Sequence, residues 1–127
     1  GLDKILKKAY RNGVVMSGVS AGAICWFQNG ITDSWASNLK LMPCLNFTKG
    51  TCCPHYDEEP ERKPAVKKLL LLKKIKEVYA LEGGSALHIK DEKIFKSVSF
   101  RKEKNSYQVS LYKKEEVKKS FRKVSLV

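Results

Sequence analysis

Arginine is scarce in a chain that is otherwise strongly basic. Arg11, Arg62, Arg101 and Arg122 are the only arginines among 25 Lys and Arg residues. Arginine is the side chain that grips phosphates and base edges with two parallel hydrogen bonds. A net charge of +12 carried mainly by lysines scattered among acids therefore describes a solvated surface better than a nucleic-acid face. Long apolar runs are missing as well: nothing approaches the roughly 20 residues that a helical membrane span needs. No secretory signal pattern opens the chain. The four cysteines, Cys25, Cys44, Cys52 and Cys53, form neither C-x-x-C pairs nor the framework of a secreted disulfide domain. They read as reduced thiols in a cytoplasmic protein. Cys44, Cys52, Cys53 and His55 match no common zinc spacing, so neither a metal nor a cofactor is expected. Histidine occurs twice, at His55 and His88, which leaves few choices for a general base.

What the chain does have is an α/β pattern within 127 residues, enough for one domain with a modest core. "LDKILKKAYRNG" carries Leu2, Ile5, Leu6 and Tyr10 at helical spacing and ends on a good stop, Asn12-Gly13. "VVMSGV" predicts a short buried strand, and "AGAICWFQNG" a helix that stops at Asn29-Gly30. Residues 31–60 are rich in turn formers and read as a long loop region, a place where site residues gather. "ERKPAVKKLLLLKKIK" predicts a helix with Pro64 in its first turn and an apolar face through Val66, Leu69, Leu70, Leu72 and Ile75. "EVYALE", "SALHIK", "EKIFKSVSF" and "NSYQVSLY" predict strands. The basic tail, residues 112–127, is expected to be a short helix or disordered, separate from a domain over residues 1–111. Only one parallel-strand unit is evident, so the chain reads as the second half of a doubly wound domain.

Chemistry concentrates in "GVSAGAICWF". Gly18-Val19-Ser20-Ala21-Gly22 fits G-x-S-x-G, in which glycines permit a sharp strand-to-helix turn that exposes the serine hydroxyl. Ala21 N–H is then placed to donate to an oxyanion. A packing turn is the plain alternative. A serine becomes nucleophilic only when a base takes its proton and a third group orients that base. His88 sits in an alternating strand and reads as an ordinary strand histidine. His55, in "CCPHYDEE" and stiffened by Pro54, is the better base by placement. Asp57, Glu58 and Glu59 nearly adjoin His55 in sequence, and their side chains are not expected to reach its far ring nitrogen. Asp33, in "GITDSW", is a candidate acid that Trp35 would shield from water. It is equally well read as a turn acid or a helix cap.

"GVSAGAICWF", "GITDSW" and "CPHYDEEPERKPA" together resemble the C-terminal half of the peptidase E group, the aspartyl dipeptidase-type serine peptidases. The resemblance covers about residues 1–111 and is nearest the branch with "AICWF" and "CPHYD". It implies a three-layer α/β sandwich related to the flavodoxin-like, class I glutamine amidotransferase fold, with a β-rich end. It further implies Ser20 as nucleophile, Asp33 as acid, His55 as base and Ala21 as an oxyanion donor. Arg62 and Tyr56 are the substrate-binding candidates it suggests, and a short peptide is the implied substrate. Family members draw a second oxyanion donor from their N-terminal half, so a complementing half or a homo-oligomer is the expected partner. The rival readings are a basic binding module without catalysis and an inactive truncated homologue.

Overall fold

The computed structural model describes residues 1–34 and 37–127. Its centre is a six-stranded sheet in the order β2-β1-β3-β4-β7-β8. β1 (Phe27–Thr32), β3 (Thr48–Cys53) and β4 (Glu77–Leu81) run parallel. β2 (Lys40–Pro43) flanks β1 and β7 (Ser106–Tyr112) flanks β4, both antiparallel. β8 (Glu115–Ser120) closes the far edge against β7. A smaller sheet holds β5 (Ser85–Lys90), β6 (Lys93–Ser99) and β9 (Lys123–Ser125), in that order.

Parallel strands are stable when both faces are covered, and this period-2 sequence supplies two apolar faces. One face of the large sheet gathers Ile31, Cys53, Val78, Ala80 and Val109 under Val66 and Leu70 of α3 (Arg62–Leu71). The other gathers Phe27 and Cys52 under Ile24 of α2 (Ala21–Ile24), with Leu87, Ile89 and Ile94 of the small sheet packed beside them. Adjacent residues Cys52 and Cys53 thus lie in opposite cores. The layers are helix, sheet, and helix with small sheet: the expected mixed α/β sandwich.

Several elements differ from the sequence expectation, each for a physical reason. The helix after Ser20 covers only Ala21–Ile24, and residues 27–32 are strand β1. Ladders to β2 on one side and β3 on the other outweigh the weak helical spacing there. The supposed loop over 31–60 contains β2 and the central strand β3, whose Thr, Gly and Cys residues look like turn formers but fit a strand buried on both faces. In the helix after Pro64, Val66 and Leu70 are buried, but α3 ends at Leu71 and Leu72 faces water. The tail is neither helix nor coil: β8 pairs with β7 and β9 with β6, so residues 112–127 belong to both sheets. The exposed lysines of β8 protect an open sheet edge from further pairing.

"VVMSGV" takes no regular secondary structure and joins no ladder among the described residues. Val15 and Val19 are 89% and 86% exposed. The helix ahead of it, α1 (Leu2–Arg11), is amphipathic yet buries no residue fully, and Leu2 and Ile5 face solvent. Tyr10 alone finds an aromatic neighbour, standing edge-on to Phe47 with centroids 5.5 Å apart.

Burial of β3 has a chemical consequence. Burial pushes the Cys52 thiol well above its ordinary value. It pushes Cys53 up to about 12, against the opposing pull of the Arg62 guanidinium. Thiolate is the reactive form. Iodoacetamide at pH 8 is therefore expected to leave Cys52 and Cys53 unmodified in the native protein and to alkylate both after denaturation. Peptide mass mapping checks this, and native-state modification at either position would contradict a buried β3.

Candidate active site

The carboxyl ends of parallel strands are where α/β sheets open a crevice. Here β1 delivers Thr32 and Asp33, β3 delivers Pro54 and His55, and β4 delivers Glu82 and Gly83 to the same edge. Ser20 meets them from the turn that opens α2. Its backbone stands at φ 55°, ψ −116°, a conformation that costs a non-glycine residue on the order of 1–3 kcal/mol. Gly18 makes the turn sterically feasible: a Cβ there would run into the Gly22 carbonyl. The turn closes through Gly22 N–H to Val19 C=O at 2.9 Å and Ile24 N–H to Ser20 C=O at 3.1 Å. Ala21 is the first helical residue, so its N–H has no acceptor within the helix.

Ser20 Oγ lies 2.8 Å from His55 Nε2. The two residues that the motif reading paired across 35 positions are in hydrogen-bond contact. His55 also stands in the left-handed region, at φ 54°. That residue turns the chain so that Glu58 N–H and Glu59 N–H both donate to its carbonyl, at 3.1 and 3.2 Å. The turn swings the Glu58 carboxylate back onto the imidazole, with Oε2 2.7 Å from Nδ1. An ionised carboxylate only accepts, so Nδ1 carries the proton and Nε2 is left to accept from the serine hydroxyl.

This arrangement corrects the expectation that residues 57–59 cannot reach the far ring nitrogen. A left-handed residue folds the chain back within three positions, which regular loop spacing does not suggest. Asp33 lines the same cavity as Ser20 and His55, but among the described residues no hydrogen bond or ion pair joins it to the imidazole. Trp35, the expected shield of Asp33, lies outside the described residues.

The cavity has a volume of about 140 Å³ and is walled by Ser20, Ala21, Thr32, Asp33, Ser34 and His55, with Arg62 and Glu59 beyond. The Arg62 expectation needs correcting in its detail. Arg62 is only 5% exposed. Its Nε donates to Glu59 at 2.6 Å and its Nη1 to the Ile31 carbonyl at 2.8 Å. The guanidinium is thus a brace between the start of α3 and the end of β1, not a free reader of a substrate carboxylate. Tyr56 is not a pocket wall. It is fully buried in the α3-side core, because the turn that presents His55 sends the next side chain inward, and Tyr56 N–H extends the ladder to Leu81 C=O at 3.0 Å. Burial pushes the Tyr56 phenol up to about 12. Trp26 packs edge-on to Phe47 at 5.4 Å, outside the site. His88, on β5, stands edge-on to Phe95 of β6, as an ordinary strand histidine does.

The residue that sequence reasoning missed is Glu58. One signal was available: His55 and Glu58 are spaced i, i+3 just after Pro54, where a tight turn can bring two side chains together.

With this geometry in view, comparison with known proteins is decisive. The model of peptidase family S51 matches residues 1–97. The chain belongs to peptidase family S51. It is also 46% identical over 111 residues to a protein of Bacillus subtilis (strain 168) described as "Uncharacterized peptidase YgaJ". That alignment covers 87% of this chain and 48% of the Bacillus protein; the chain spans about half the length of the curated relative it matches.

Two expected outcomes follow from the supports of this site. Arg62→Ala leaves the Ile31 carbonyl and the Glu59 carboxylate without their donor, at a cost of about 2–4 kcal/mol. Urea denaturation measures it, and an unchanged midpoint would mean that the brace bears no load. Asp57 accepts from Gly83 N–H at 2.8 Å and pairs with Lys104. Burial pushes its carboxyl up, but Lys104 and the Gly83 N–H outweigh that and leave it below the usual carboxylate value. A carboxyl depressed by folding stabilises the native state above its unfolded pKa, about 3.9, and loses that contribution as pH falls through the folded value. The melting temperature is expected to drop below about pH 4, less steeply in Asp57→Asn than in the parent.

Proposed function

We propose that the chain carries the nucleophile and base of a serine peptidase acting on short peptides. The observation that carries this reading is the 2.8 Å contact between Ser20 Oγ and His55 Nε2 at a strained elbow. Ser20 Oγ attacks the scissile carbonyl carbon while its proton passes to Nε2. The carbonyl oxygen becomes an oxyanion to which Ala21 N–H donates, a contact typically worth about 3–4 kcal/mol of barrier. His55 then returns the proton to the leaving amine, and the acyl group stays on Ser20 as an ester. Water, deprotonated by His55, releases the acid and restores the hydroxyl. Family membership and the peptidase description of the Bacillus relative support this chemistry. The modest cavity favours a short peptide and a dipeptidase-like habit.

The partner in this reading is a polypeptide that pairs with residues 14–18. Among the described residues they pair with no strand, Val14 and Val15 are exposed, and they lead toward Ser20. The half-length alignment to the Bacillus protein fits such a partner.

Hydrolysis of a dipeptide panel by the parent and by Ser20→Ala tests the proposal. Loss of at least about 10³-fold in kcat/KM is expected. Turnover that survives in Ser20→Ala at the parental rate would rule out Ser20 as the nucleophile.

A further inference from the structure

A further cleft lies away from the serine. It has a volume of about 170 Å³ and opens beside the amino end of β3, where Lys49 is the second residue of the strand. His55, past the other end of β3, is six residues on, roughly 20 Å of extended chain. Three segments meet at this cleft. α1 contributes Lys7, Tyr10 and Arg11, the turn ahead of β3 contributes Asn46 and Phe47, and the turn between β5 and β6 contributes Glu92.

Lys7, Arg11 and Lys49 are exposed, and among the described residues none of them has a salt bridge or a side-chain hydrogen bond. Arg11 stands in the last turn of α1, where the helix dipole favours a cation. Lys49 has no such reason to be there, since it stands on a strand and faces the same space. Three like charges around one cleft repel one another, and Glu92 offsets only one of them. An anion seated among them turns that repulsion into charge-assisted hydrogen bonds. Asn46 adds an amide donor and stands at φ 58°, a conformation asparagine tolerates. Beside the charges the wall is aromatic: Tyr10 and Phe47 meet edge-on, with centroids 5.5 Å apart. α1 buries no residue fully, so a ligand held from both sides would also fasten the helix to β3.

We infer that this cleft binds a small phosphate monoester with a flat apolar group. The phosphate lies among Lys7, Arg11 and Lys49, and the flat group lies against Tyr10 and Phe47. A phosphate monoester carries about 1.5–2 negative charges at pH 7, which matches three cations less one acid better than a single carboxylate does. The inference stands apart from the serine peptidase reading, because no residue of the cleft belongs to that site.

The test is titration of ¹⁵N-labelled protein with inorganic phosphate and with phenyl phosphate, followed by amide NMR at constant ionic strength. Both ligands are expected to shift the amides of residues 7–11 and 46–50 along saturable curves, and phenyl phosphate is expected to bind more tightly. Arg11→Gln and Lys49→Gln are each expected to weaken binding about tenfold, the usual worth of one charge-assisted hydrogen bond. Glu92→Gln is expected to strengthen it. Lys113→Gln, a cation on the turn between β7 and β8 and outside the cleft, is expected to leave it unchanged. Shifts that never saturate, or equal weakening by Lys113→Gln, would mean diffuse attraction to a surface of charge +12 and would overturn the site. Phenyl phosphate that binds no more tightly than inorganic phosphate would overturn the flat apolar group. Should one charge variant fail to fold, the other decides.

Discussion

Everything at the site depends on β3 lying parallel between β1 and β4. The pairings Gly30 with Cys52 and Cys52 with Tyr79 fix three strands in one register. Their carboxyl ends then open on a single edge, and each ends in a residue of the site or its support. The register is secured by burial on both faces, because a slip of one residue would exchange the cores that receive Cys52 and Cys53. A rigid sheet is what allows the connecting turns to carry strain. Ser20 and His55 both stand at positive φ, and both are held by hydrogen bonds to elements anchored in that sheet.

The site is also braced from behind. Arg62 ties α3 to the end of β1, and Asp57 with Lys104 ties the His55 turn to residues around Gly83. Two charged clusters thus sit beside the serine-histidine pair with no side-chain hydrogen bond to it, and each joins segments far apart in sequence. Charges placed this way contribute geometry to the site rather than direct chemistry.

Much of this was legible in the residues. The elbow at Ser20 and the choice of His55 followed from motif, placement and the shortage of histidines, and the later strands followed from alternation. The misreadings share one cause. Short polar or small residues such as Gln28, Asn29 and Thr51 carry weak local preferences, so pairing decided their state and β1 and β3 were hidden among apparent helix and loop. Glu58 was hidden for a related reason. Its reach to Nδ1 depends on a left-handed His55 and on the empty space at Gly83, and neither is visible until the turn is folded. Tyr56 was named beside the pocket through the family resemblance, whereas the folded turn buries its side chain in the α3-side core.

The central claim is that Ser20 is activated by His55. The most direct measurement is to treat the protein with a fluorophosphonate and map the adduct by peptide mass spectrometry. The account predicts a single adduct on Ser20 that is lost in His55→Ala. An adduct on another serine, or labelling of Ser20 that proceeds equally well without His55, would contradict it.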